Sequence, residues 1–543
     1  MTIHYAGARV CNARVALLAI PMLVLTGCAG LPPGSDFPRP VSVALADPEQ
    51  TQLGKHFIRA SQKHDGQSGF RILTVGVDGF TTRMHLIDAA ERTLDLQYYI
   101  FRGDETGRLL TDALLRAARR GVRVRLLIDD GDTVAGDEQV IALRRYAGIE
   151  VRLFNPFAYR GHVMLLRLAE FAMNARRLDY RMHNKLLVAD NAVALIGGRN
   201  IGNQYFQMDP DSQFADDDVF AAGSIAQELS ATFDEYWNSG FAIPSQALER
   251  RQHADAALPD LNARATGRAG QAAQLQAMDG IDYGARIATG EPYAGLVAGE
   301  LPLVWARAHV VCDSPDKKQV EAGTVGGRLM SDSVAAVASA VHSELLMVTP
   351  YFVPADDELK VLNDLRQRGA RVRVLTNSLE SSRDLLAQAG YMHYRGPLLE
   401  AGVELYEARA RLGNVRGSGQ TARISRYGHY GLHAKLIIFD RDRLFIGSMN
   451  YDQRSRRINT EIGVIIDSPE LAQQMAARFE SMVQPEASYA LALRTGRPGT
   501  GATLVWRTVE QGLPQEYSRE PAQSGWRRLQ VRALSLLPVA REL

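Results

Sequence analysis

Cysteine is almost missing from this chain: only Cys11, Cys28 and Cys312 occur among 543 residues. A disulfide-built scaffold is excluded, because the first two lie in the N-terminal segment and Cys312 is left without a partner. Cys and His do not cluster at metal-ligand spacing, so neither a metal nor another cofactor is expected. Charge of one sign is not in excess either. The 62 basic and 61 acidic side chains leave a net charge of +1, whereas proteins that live on nucleic-acid backbone normally carry a basic surplus. That argues against nucleic acid as a partner, short of a local basic cleft. Long apolar runs are also lacking: Val15 to Leu25 is a run of 11 residues, too short to span a bilayer comfortably.

What is present is a repeat. Arg181-Met-His-Asn-Lys-Leu-Leu-Val-Ala-Asp190, followed by Gly197-Gly-Arg-Asn200, recurs as Leu432-His-Ala-Lys-Leu-Ile-Ile-Phe-Asp440, followed by Gly447-Ser-Met-Asn450. His183 and His433, Lys185 and Lys435, Asp190 and Asp440, and Asn200 and Asn450 share one offset of 250 residues. The surroundings repeat too. Leu94 to Phe101 reads as a buried strand, Gly107 to Arg120 as an amphipathic helix and Gly121 to Asp129 as a second strand, which makes a βαβ unit. Leu345 to Pro354 and Arg368 to Leu375 correspond to its strands, the latter at an offset of 248. The fold expected is α/β, with two similar halves related by a pseudo-two-fold axis and one site at their interface. The arginines that alternate on these strands (Arg123, Arg125, Arg371, Arg373) are expected on an edge or a solvent face.

Composition divides the chain further. Residues 1–27 form a basic n-region and a short apolar h-region. A Pro- and Gly-rich tether runs over 28–44, the N-terminal half over 45–249, an Ala-, Gly- and Gln-rich connection over 250–299, the C-terminal half over 300–515 and a tail over 516–543. The tail, from Leu529 to Ala540, is read as a helix that closes on the core or touches a membrane surface.

In each copy the residues after the lysine have strand composition. Side chains two apart on a strand face the same way, so each histidine projects beside its lysine. Two such pairs facing across a dyad give a pocket of two imidazoles and two ammonium groups, which suits a phosphodiester. One imidazole can attack phosphorus; the other can protonate the leaving oxygen and later deprotonate the acceptor. The lysines, with polar groups such as Asn200, Ser448 and Asn450 at the substrate, would steady the developing negative charge without a metal. Carboxylates are needed to orient the rings. Glu461, and Asp216 once Val464 is aligned with Val219, are the candidates, with Asp218 in reserve. Asp190 and Asp440 are counted with the catalytic motif, although their distance from the lysines suits bracing of strand and loop. Tyr98, Tyr99 and Tyr351 end strands where α/β sites form, and core packing explains them equally well.

The duplicated His-x-Lys-x4-Asp motif resembles that of the phospholipase D superfamily. Gly197-Gly-Arg-Asn-Ile-Gly202, Thr349-Pro-Tyr-Phe-Val-Pro354 and Asn450-Tyr-Asp-Gln-Arg-Ser455 look like its bacterial cardiolipin synthase branch. The resemblance implies α/β sandwich halves, His183, Lys185, Asp190, His433, Lys435 and Asp440 as catalytic residues, and a phosphohistidine intermediate with His183 as nucleophile. It implies transfer of a phosphatidyl group onto phosphatidylglycerol, from a donor such as phosphatidylethanolamine, by a monomeric active unit on membrane phospholipids. Hydrolysis to phosphatidic acid, a secreted endonuclease and a non-catalytic lipid-binding lipoprotein are the alternatives. Where the family pattern leads one to expect a histidine before Tyr391, this chain has Gln388. Leu25-Thr-Gly-Cys28 resembles the lipobox of bacterial lipoproteins, which implies acylation of Cys28 and a lipid-anchored protein facing the periplasm.

Overall fold

The computed structural model describes residues 32–131, 143–161, 163–209, 212–248, 293–410, 429–494 and 502–537. The signal segment, Cys28 and nearly all of the connection 250–299 lie outside the described residues.

Each half is a sheet between two helical layers. In the N-terminal half the strands Thr93–Tyr98, Arg123–Asp129 and Ile149–Phe154 run parallel, in that order. Antiparallel to the first lies Lys185–Ala189, followed outward by Val193–Gly197, Asp218–Ala222 and Ser68–Leu73. The C-terminal half repeats this order. Glu344–Val348, Arg371–Asn377 and Glu404–Ala408 are parallel, and Leu436–Phe439, Arg443–Gly447, Ile462–Asp467 and Val304–Cys312 follow. The strands equivalent by this order, Ser68–Leu73 and Val304–Cys312, pair with each other antiparallel, Gly69 opposite Trp305. The pseudo-dyad therefore passes through this pair, and the two halves form one continuous sheet.

Alternation along the strands explains the layers. Leu187 and Ala189 join an outer core under the helices Gly76–Ala89 and Glu105–Arg119, while Leu186 and Val188 join an inner one. In the second half Ile437 and Phe439 face outward, and Leu436 and Ile438 inward. The inner core is shared: the helices Ser224–Trp237 and Pro469–Met482, one from each half, contribute Phe233, Trp237 and Phe479 to it. Burying apolar area between halves is what ties them into one body.

One expectation needs correction. Arg125 is buried, because Asp95 directly opposite in register receives it through bonds of 2.6 and 2.8 Å and Asp234 adds a contact at 2.7 Å. Arg373 is buried likewise, paired with Glu480 and stacked near the Tyr406 and Phe479 rings. Tether and tail both touch the halves, the tail as a helix that closes on the core. Ser42 and Ala44 of the tether bond Arg125 and Asp234. In the tail, helix Gly525–Ser535 packs on Leu385–Tyr391 through Val531, Leu379 and Ala389.

Candidate active site

Each His-x-Lys segment enters the site alongside the other half. Met182 bridges in parallel to Thr460, and His183 N donates to Thr460 O at 2.9 Å. Across the dyad, His429–Leu432 pairs in parallel with Ser212–Ala215, and His433 N donates to Ala215 O at 2.8 Å. The residue after Thr460 is Glu461 and the residue after Ala215 is Asp216, so each histidine meets a carboxylate of the opposite half. His183 Nδ1 lies 2.9 and 3.0 Å from the Glu461 oxygens, and His433 Nδ1 lies 2.6 Å from Asp216 Oδ2. A carboxylate on Nδ1 selects the tautomer with the proton there and leaves the Nε2 lone pair for chemistry. Asp218, the reserve candidate, is held by Arg83 at 2.8 Å and Arg199 at 3.2 Å instead.

The lysines stand with their histidines. Lys185 Nζ donates to His183 O at 2.6 Å, and Lys435 Nζ lies against the His433 ring, 2.7 Å from Nδ1 and 3.0 Å from Nε2. All four side chains are buried, and burial sets their proton affinities. It pushes His183 down to about 4, His433 well below its ordinary value and Lys435 down to about 8. Lys185 also falls well below the usual lysine range through burial, with Lys435 adding to the effect. Burial lifts Asp216 to about 6. It works to raise Glu461 too, but His183 and Lys185 outweigh it and hold that carboxyl below its usual range. Near pH 7 the imidazoles are neutral, which suits a nucleophile. An anionic phosphodiester among these groups raises their proton affinity, so the proton a general acid needs is favoured when substrate binds.

The remaining candidates divide. Asp190 accepts from the backbone N–H groups of Glu91, Arg92 and Thr93 at 2.8–2.9 Å. Asp440 does the same for His342, Ser343 and Glu344. Both sit beyond the far ends of their strands, so their place in the catalytic set is corrected to that of braces. Asn200 accepts from Ile100 N–H and donates to Tyr205 Oη at 3.0 Å. Ser448 donates to Glu461 and accepts from Ile462 N–H at 3.0 Å. These bonds fix the Asn200 and Ser448 side chains beside the site. Asn450 is buried, and its Oδ1 has no hydrogen-bond partner among the described residues. At the position equivalent to Ser448, Gly198 is required: a Cβ there would collide with the Asp216 carboxylate.

Further positioning groups lie around these, and among them Asp129 and Asp313 were not singled out from the sequence. Asp129 Oδ2 accepts from Met182 N–H at 2.7 Å, and Asn377, its equivalent at offset 248, accepts from Leu432 N–H at 2.9 Å. That offset was the available signal. Gln388 is buried behind Asn377 and donates to its carbonyl at 2.8 Å. Asp313 accepts from Glu461 N–H at 2.9 Å and Lys317 Nζ at 2.8 Å. Of Tyr98, Tyr99 and Tyr351, the first is core and bonds Arg83 at 3.1 Å, the second meets the His183 ring edge-on at 4.9 Å and the third is half-buried. Tyr205 does the same for His433 at 5.1 Å.

Residues 84–237 and 334–483, one stretch in each half, match the family described as cardiolipin synthase, PLD-like domain. Cardiolipin synthase C of Escherichia coli (strain K12) is 36% identical over 496 residues, covering 90% of this chain and 99% of that protein. The probable cardiolipin synthase YwiE of Bacillus subtilis (strain 168) is 24% identical over 437 residues, covering 80% and 70%. Among solved structures, a phosphatidylserine synthase of Haemophilus influenzae Rd KW20 is similar in fold, with a TM-score of 0.51 at 13% identity over 81% of this chain and 92% of that one.

Proposed function

This chain belongs to the cardiolipin synthase family of phospholipase D-like proteins, and on that premise we propose that it is a phosphatidyltransferase that makes cardiolipin. The observation that carries this reading is the pair of crossed contacts, His183 on Glu461 and His433 on Asp216. They give one pocket two imidazoles of fixed tautomer and two ammonium groups. In the first half-reaction His183 Nε2 attacks the phosphorus of the donor phospholipid. The bond to the headgroup oxygen breaks, and the protonated His433 gives that oxygen its proton. In the second, His433 takes the proton of a glycerol hydroxyl of phosphatidylglycerol, whose oxygen attacks phosphorus. The P–N bond breaks and His183 is restored. Lys185 and Lys435 stabilise charge on the non-bridging oxygens throughout. Phosphatidylethanolamine as donor, one chain as the active unit, and a Cys28-linked lipid anchor in the cell envelope facing the periplasm belong to the same proposal.

The test incubates purified protein with labelled phosphatidylethanolamine and phosphatidylglycerol and identifies products by mass spectrometry. Cardiolipin carrying the donor's phosphatidyl group is expected. Phosphatidic acid without cardiolipin would make the protein a hydrolase.

A further inference from the structure

The helix Met164–Met173 is turned inside out. It buries Arg167 and Glu170, while Met164, Leu165, Leu168 and Met173 are 57–78% exposed. The inversion is held by specific bonds: Arg167 donates to Asp130 O and lies over the Phe157 ring at 4.0 Å, and Glu170 accepts from Ala158 and Tyr159 N–H at 2.7 and 2.8 Å. A second helix, Gly525–Ser535, also exposes apolar side chains, in the other half. Val531 alone is buried, Trp526 is 66% and Leu529 56% exposed, and Leu536 just beyond is 86% exposed.

The two helices stand at equivalent places. The first is anchored on Asp130, next to the Asp129 that holds Met182; the second, by Arg527, on Leu379 O at 3.0 Å, two residues past the Asn377 that holds Leu432. Each apolar face thus flanks the strand end that fixes one histidine segment, and the pair borders the site from both halves. Exposed arginines accompany them: Arg176 beside the first, and Arg532 on the second, a helix without acidic residues. Among the described residues no helix is long and apolar enough to cross a membrane. Apolar side chains beside cationic ones, on short helices, fit the interface of an anionic bilayer.

We propose that these two helices form a docking surface that seats the mouth of the site on an anionic phospholipid bilayer. The inference rests on the proposed action on phospholipids, and it adds which face meets the membrane.

Trp526 provides the test. Of the four tryptophans, Trp237 and Trp506 are buried and Trp305 stacks on His64, so Trp526 is the exposed one. The full-length protein is mixed with vesicles of phosphatidylcholine, with or without phosphatidylglycerol, carrying brominated acyl chains. The Trp526 signal is the difference between wild type and Trp526→Phe. Expected are a blue shift and quenching, stronger with phosphatidylglycerol. Leu165→Glu with Leu168→Glu should lower turnover on vesicles by about tenfold or more, and leave turnover of dispersed short-chain phospholipid unchanged. Unquenched Trp526 on vesicles that carry the protein would overturn the proposal, as would equal losses on both substrates. So would a lipid-free dimer that already shields Trp526, which would make a second copy the occupant. Quenching without turnover of either lipid would refute the proposed activity and uphold the docking surface.

Discussion

Glu461 and Asp216 do not touch a substrate in the proposed reaction; they act through the imidazoles they hold. His183→Ala and His433→Ala should each lower kcat by about 10⁴-fold or more, whereas Glu461→Gln should cost on the order of 10²-fold in kcat with little change in KM. Steady-state kinetics checks the difference. Gly198 and Ser448 are equivalent in sequence yet opposite in tolerance. Gly198→Ala forces Asp216 away from His433, and a loss of about 10²-fold is expected. Ser448→Ala removes one bond to Glu461 and should cost about tenfold or less. Lys435 contributes to the alkaline limit, together with Lys185, which burial also pushes well below the usual lysine range. The Lys435 ammonium is charged below about 8 and neutral above, so kcat/KM should fall as pH rises through that value. Lys435→Arg, which stays protonated, should lose the Lys435 part of that fall and so change the pH profile, even at a lower absolute rate.

At the scale of elements, the two motif aspartates are turn braces and their loss should appear as instability. Asp190 is fully buried and satisfies three backbone donors. Asp190→Ala should destabilise by about 3 kcal/mol, against about 1 kcal/mol for Asp440→Ala, whose donors partly face water. Thermal unfolding of the two variants measures it. The strands and helices around these aspartates were legible because period-two and helical apolar patterns persist across both copies, as at Leu94 and Leu345. The histidines, lysines and both orienting carboxylates were legible through the repeat. What escaped were relations that need tertiary partners: Arg125 looked solvent-facing until Asp95 stood opposite it, and Asn200 looked available until Tyr205 took its amide. Ser448 and Gly198 are alike in spacing, and only the proximity of the carboxylates separates their roles.

For the whole molecule, duplication explains more than the fold. Each half supplies a histidine, a lysine and the carboxylate for the other half's histidine, so neither half holds a complete site. The shared inner core and the Ser68–Leu73 to Val304–Cys312 pairing keep the four groups in register. The central claim, one site from two halves, has a direct measurement. Wild-type protein is mixed rapidly with donor phospholipid, denatured in alkali to preserve phosphohistidine, and analysed by intact and peptide mass spectrometry. At most one phosphatidyl adduct per chain is predicted, on His183. Adducts on His183 and His433 of the same chain would mean two independent sites and would contradict it.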